Sequence, residues 1–223
     1  MGQDTWLPGA SLFDFLAGTV HNKGKRGNEK ETMQEYFDIV DDKGIPTGEI
    51  ISREEAHAKG ICHRTAHIWI IRKEKGTWQV LLQKRSKNKD SFPGMYDTSS
   101  AGHIQAGDEP LESAMRELKE ELGVAGTPDD FSFAGQFHIH YSMVFHGKPF
   151  HDDEVVWVYV YTGPIKEEDL TLQESEVEEV RWFDLELVWE EIHKEQEVFC
   201  VTKEGLGLLR EYLKRQEEDQ QHP

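Results

Sequence analysis

Between Gly102 and Val124 the chain reads G-H-I-Q-A-G-D-E-P-L-E-S-A-M-R-E-L-K-E-E-L-G-V, a glycine-spaced loop running into a helix with two unlike faces. Leu111, Ala114, Met115, Leu118 and Leu122 follow helical spacing and need a core to cover them. Glu117, Glu120 and Glu121 fall, at about 100° of rotation per residue, within roughly a 100° arc on another face. Such a helix must lie on a packed layer with its acids turned outward. Mg2+ takes oxygen ligands, keeps several waters, and is commonly shared between carboxylates and substrate phosphates. Three glutamates at this spacing suit it, and two such ions neutralise a diphosphate and polarise a water. Arg116 lies beside Glu120 in angle and can orient an acid through a paired contact. Gly123 ends the helix, while Gly102 and Gly107 let the loop come close. Glutamate-rich helices are also common as plain solvated faces, so the helix alone does not decide.

The segments around it predict strands before, between and after this helix. Tyr36 to Val40 is a short β-rich run closed by Asp42-Lys43-Gly44, with the turn residues Pro46 and Gly48 beyond. Ser52 caps a helix from Arg53 to Lys59, with Glu55 completing a capping box and Gly60 ending it. Ala66 to Ile71 and Trp78 to Gln83 read as paired strands joined by the turn Lys73 to Thr77. Phe131 to Phe145, Val155 to Tyr161 and Glu178 to Phe183 add strands, and Leu185 to Lys194 and Lys203 to Gln216 add helices. The layout predicts an α/β fold, an α/β/α sandwich around a mixed β-sheet. Residues 35–216 form its one domain, behind an extension and linker over 1–34 and before an acidic tail over 217–223, and Gln216 to Gln221 reads as disordered. Leu12, Phe13, Phe15 and Leu16 would suit a short docking helix or a homodimer arm.

Lys plus Arg number 25 against 43 Asp plus Glu, a formal charge of −18. That balance argues against nucleic acid or an anionic membrane as partner, and no apolar run approaches a membrane span. A phosphate ligand must be met locally, by metal ions and a few basic residues. Cys62 and Cys200 are too few for a disulfide framework and lack zinc spacing; they read as buried small hydrophobes in a reducing cytoplasm.

The loop and helix resemble the Nudix box, G-x5-E-x7-R-E-U-x-E-E-x-G-U with U apolar. Gly102, Arg116, Glu117, Leu118, Glu120, Glu121, Gly123 and Val124 match it, and Asp108 stands where the motif has Glu. The resemblance implies a Mg2+- or Mn2+-dependent hydrolase of nucleoside diphosphate derivatives or related diphosphates, acting through a metal-activated water. It carries metal binding to Glu117, Glu120 and Glu121, catalysis to Glu120 and Glu121, and an orienting role to Arg116. Asp108, one methylene shorter, weakens the expected pairing with the arginine.

The flanks, L-L-Q-K-R at 81–85, S-F-P-G-M-Y at 91–96 and A-G-H at 101–103, are similar to the branch near isopentenyl-diphosphate isomerase. That likeness implies a further metal site from His67, His103, Asp152 and Glu154, with Glu154 as an acid-base group. The isomerase's catalytic cysteine, however, is matched by Ala101. Without an acid on one face of the alkene the chemistry favours hydrolysis, for which Glu154 is the candidate base. Arg85, in the one dense basic run, is the candidate for paired contact with the outer phosphate. Lys84 beside it and the close-approaching Gly102 complete the substrate-binding set. Lys87 and Lys89 read as solubilising, and Trp69, Phe92 and Tyr96 as core or as lining for a base or prenyl group. His63, His138, His140, His146 and His151 read as surface or packing residues, with His63 the first exception to examine. Two rivals to a hydrolase of small-molecule diphosphates stand: an isopentenyl-diphosphate isomerase, and a binder that keeps the fold without turnover.

Overall fold

The computed structural model describes residues 19–21, 34–89, 91–194 and 198–221. Leu12, Phe13, Phe15 and Leu16, with the dimer role expected of them, lie outside those residues. The strands are β1 (Thr19–His21), β2 (Tyr36–Val40), β3 (Pro46–Ser52), β4 (His63–Glu74), β5 (Thr77–Arg85), β6 (Tyr96–Asp97), β7 (Ser100–His103), β8 (Phe131–Phe145), β9 (Lys148–Tyr161) and β10 (Val177–Asp184). The helices are α1 (Arg53–Lys59), α2 (Pro110–Leu122), α3 (Leu185–Ile192) and α4 (Lys203–Gln221).

One sheet runs in the order β1-β10-β5-β4-β9-β8, with β6 on β5 and β7 on β4, and β2 and β3 form a separate hairpin. Among the described strands β4 and β9 pair in parallel and the others antiparallel, so the sheet is mixed. Each face has its own core. Ala114, Leu118 and Leu122 of α2 pack with Ala66, Ile68, Ile70 and Leu81 on one side. On the other, Val188 of α3 and Leu206, Leu209 and Leu213 of α4 pack with Trp69, Val156, Val158 and Val160. Alternate residues of β4 and β9 thus face opposite layers, giving the expected sandwich. Trp69 and Tyr96 are core residues.

Local chemistry sets the element ends. Ser52 Oγ accepts from the Glu55 amide at 3.3 Å, and Gly60, at φ 64°, closes α1. Several boundaries differ from the sequence reading. Pro46 and Gly48 belong to strand β3 rather than to a turn, because β3 lies on the surface with its outer residues in solvent. β9 begins at Lys148, so Asp152 and Glu154 sit within the strand and not at its entrance. The tail expected to be disordered continues α4 to Gln221, where Glu217 accepts from Lys73 Nζ and Trp78 Nε1, both at 2.8 Å.

Candidate functional site

Strand β7 is where the two halves of the site meet. The Ala101 amide donates to Glu121 Oε2 at 3.2 Å, and Gln83 Nε2 donates to the same oxygen at 3.3 Å. Gly102 touches Glu117 so closely that an added Cβ would lie 2.1 Å from its Cδ. The His103 ring lies on the far side, with Nε2 3.4 Å from Glu154 Oε1. Three successive residues therefore contact two acids of α2 and the acid of β9.

On α2, Glu121 is 4% exposed, Glu117 is partly buried and Glu120 is exposed. Burial, reinforced by the charge of Glu117, pushes the Glu121 carboxyl up to about 8. Burial also raises Glu117, against the opposing pull of Arg116. Crowded, desolvated carboxylates of this kind need protons or a cation to coexist. Arg116 Nη1 donates to Glu117 Oε1 at 2.6 Å and Nη2 to the His103 carbonyl at 3.2 Å. It orients Glu117, its neighbour in sequence, rather than Glu120. The loop before α2 is fixed by other means than the box's acid: Asp38 accepts from Gly107 N at 2.9 Å and Arg64 Nη2 at 2.8 Å, and that nitrogen also reaches the Asp108 carbonyl.

The second half is a pocket of imidazoles. One ligand atom each from His57, His63, His103 and Glu154 lies within 4.8 Å of the others. His63 Nε2 is 3.5 Å from Glu154 Oε1, and His57 Nε2 is 3.6 Å from Asp152 Oδ1. Nδ1 of His57 and of His63 sits 2.9 Å from the carbonyl of Arg53 and of Ile61 respectively. A carbonyl only accepts, so each Nδ1 carries the proton and each Nε2 presents a lone pair when the ring is neutral. Phe37 stacks on His63 and His103 with centroids 4.9 and 4.5 Å away. Thr65 Oγ1 donates to Glu154 Oε2 at 3.0 Å.

Burial alone would raise the Glu154 carboxyl, but His103 and His63 against it hold it well below the usual range. Burial lowers His103 to about 3 and, with the charge of His63, lowers His57 to about 4. Burial would lower His63 too, but Glu154 raises it. Burial and the charge of Glu154 push Asp152 up to about 8. Nε2 of His63 and His103 and Oδ1 of Asp152 are buried without a hydrogen-bond partner among the described residues. Orphaned acceptors around one point are what a cation would satisfy.

Several expected residues lie elsewhere. His67 is not a member of the pocket: β4 pairs His63 with Glu154 but His67 with Val158, four residues or about 13 Å farther along the strand. Its ring packs edge-on to Phe137, and burial lowers its pKa. His57, on α1, is the residue the sequence reading missed, because nothing in a seven-residue capped helix marks one histidine as inward. Arg85 donates from all three guanidinium nitrogens to Asp97 and Ser91, and Lys84 pairs with Glu178 at 3.3 Å. In so acidic a chain both cations meet protein carboxylates, and neither is a free phosphate arm. Lys89, read as solubilising, is one of the groups, after a hydrogen bond from Ser100, that partly oppose the rise of Glu121. Cys62 is half-buried, 3.7 Å from His138 Nε2, rather than an apolar filler.

The sequence matches the NUDIX domain family over residues 62–200. It is 44% identical over 155 residues to Nudix hydrolase 3 of Arabidopsis thaliana, covering 69% of this chain but only 20% of that protein's length. It is 35% identical over 182 residues to the uncharacterized Nudix hydrolase YfcD of Escherichia coli, covering 81% of this chain and 88% of the relative. Among solved structures, DR0079 from Deinococcus radiodurans superposes with a TM-score of 0.58 at 19% identity over 79% of this chain and 98% of that one, a likeness of fold. Glycine loop, acidic helix, sheet order and relatives agree: the chain belongs to the Nudix family.

Proposed function

We propose that this protein is a divalent-metal-dependent Nudix diphosphohydrolase, with the α2 carboxylates and the imidazole pocket forming one site across β7. The observation that carries the reading is the run Ala101-Gly102-His103, which holds Glu121, accommodates Glu117 and faces Glu154 in turn. Glu117, Glu120 and Glu121 would hold Mg2+ or Mn2+, the ion expected of an all-oxygen set. His57, His63, His103 and Glu154, with Asp152 beside them, would hold a further divalent ion. The donors fit: crowded carboxylates on one side, unpartnered lone pairs on the other. Such ions neutralise the diphosphate and promote attack by water at phosphorus.

The chain's own residues prepare that attack. Arg116 fixes the Glu117 carboxylate, and Ala101 N and Gln83 fix that of Glu121. Glu154, held by Thr65, would serve as a ligand of the further ion, its lowered carboxyl suiting a ligand better than a proton acceptor. Ala101 carries no thiol where the isomerase needs one, which supports water rather than an alkene as the second reactant. The imidazole pocket is what favours the isomerase as second reading. A phosphate-release screen over nucleotide, sugar-nucleotide, dinucleotide and prenyl diphosphates, with Mg2+ and with Mn2+, tests both. Phosphate or monophosphate release supports hydrolysis; dimethylallyl diphosphate formed from isopentenyl diphosphate without phosphate release overturns it. Tight binding with no turnover of any class would make the protein a sensor instead.

A further inference from the structure

Asp153 stands between Asp152 and Glu154 on β9, so strand alternation turns it to the opposite face. There it meets His138 and His140 of β8 and Cys62 from the loop entering β4. We propose that Cys62, His138 and Asp153 form a separate transition-metal site, suited to Zn2+ rather than Mg2+.

Three observations carry the assignment. First, Cys62 Sγ, His138 Nε2 and an Asp153 oxygen all lie within 4.8 Å of one another. Zinc–sulfur and zinc–nitrogen bonds of about 2.3 and 2.0–2.1 Å at a tetrahedral angle put the two ligand atoms about 3.6 Å apart. Cys62 Sγ and His138 Nε2 are 3.7 Å apart before any ion enters. Second, one nitrogen serves both partners: Nε2 of His138 also lies 2.6 Å from Asp153 Oδ1. A nucleophilic relay would set thiol and carboxylate on opposite ring nitrogens; convergence on one ring nitrogen, whose hydrogen an ion would replace, is the geometry of ligands around a point. Third, the platform is held. His140 lies directly opposite Asp153 in the β8–β9 ladder, with Nδ1 3.0 Å from Asp153 Oδ2, leaving Oδ1 for the ion. The Cys62 carbonyl accepts from Val40 N at 3.1 Å, tying its loop to β2.

Binding of a dication would release the Cys62 thiol proton and displace the hydrogen between His138 Nε2 and Asp153 Oδ1. Thiolate and imidazole select Zn2+ or Co2+ over Mg2+. The site is separate from the imidazole pocket, because Asp153 points to the other side of β9 from Asp152 and Glu154.

Cobalt titration of the full chain tests this without reference to activity. Wild type and His103→Ala should both develop a near-ultraviolet thiolate-to-cobalt charge-transfer band that excess Mg2+ does not remove. Cys62→Ser should lack the band and retain one equivalent less Zn2+ on dialysis, and Asp153→Asn should weaken binding at least about tenfold, as loss of a ligand requires. Cysteine to serine is conservative, and circular dichroism establishes that each variant is folded. No band in the wild type, or a band that survives in Cys62→Ser, overturns the proposal.

Discussion

The acidic face of α2 and the imidazole pocket share a wall of three residues, yet they are built on opposite plans. The α2 carboxylates come from one helical turn, aligned by the helix itself and only then buried. The pocket gathers His57 from a helix, His63 from a strand start, His103 from β7 and Glu154 from a strand nearly a hundred residues after the first. The helix site depends on local geometry that survives small shifts of the fold. The pocket depends on strand register, so a slip of one residue would turn Glu154 to the other face and Asp153 inward. One half is therefore a motif and the other a consequence of topology.

If the helix site carries the diphosphate chemistry, the largest effect belongs there. Glu121→Gln should lower diphosphate turnover by roughly three orders of magnitude or more, since it removes a ligand from the reacting centre; steady-state kinetics with Mg2+ and Mn2+ would show it. A loss within a few-fold would break the comparison on its stronger side. Gly102→Ala separates position from presence. The three nearest atoms that the added methyl would meet all belong to the Glu117 side chain, so the protein should melt near the wild-type temperature while turnover falls about 10²-fold through a displaced carboxylate. Substantial unfolding would instead make Gly102 a folding residue.

On the pocket side, His103→Ala should reduce metal affinity or activity by about 10- to 100-fold, the range for groups that support a metal site. Mn2+ binding measured by electron paramagnetic resonance checks it. A loss as large as that of Glu121→Gln would promote the pocket to equal rank. The smallest effect lies outside both regions. Glu217 is held below the usual carboxylate range by hydrogen bonds from Lys73 and Trp78. A depressed folded-state pKa gives stability that is present above the unfolded value and lost as pH falls through the folded one. The melting temperature of Glu217→Gln should therefore trail the wild type slightly at neutral pH and converge with it in acid, with turnover unchanged.

The unequal legibility of the two halves follows from the same contrast. Glu117, Glu120, Glu121, Arg116 and the core face of α2 are readable because helical spacing converts sequence distance directly into angle. The sandwich was legible too, since the strand runs and capping residues Ser52 and Gly60 act locally. His57 and the failure of His67 were not: the first depends on how α1 packs beside Asp152, the second on which residue of β4 stands beside Glu154, and register is set by pairing between distant strands. Arg85 misled for a related reason: a basic run shows its charge but not that Asp97 and Ser91 lie within reach. The α4 tail looked disordered by composition, but Trp78 and Lys73 give Glu217 its partners.

The central claim is that both halves face one diphosphate across β7. Crystals soaked with Mn2+ and a non-hydrolysable diphosphate analogue test it through anomalous scattering. The account predicts a manganese peak bound by Glu117 and Glu121, with the analogue's phosphate oxygens between that ion and Glu154. A diphosphate bound away from these carboxylates, or manganese that leaves Glu117 and Glu121 untouched, would contradict it.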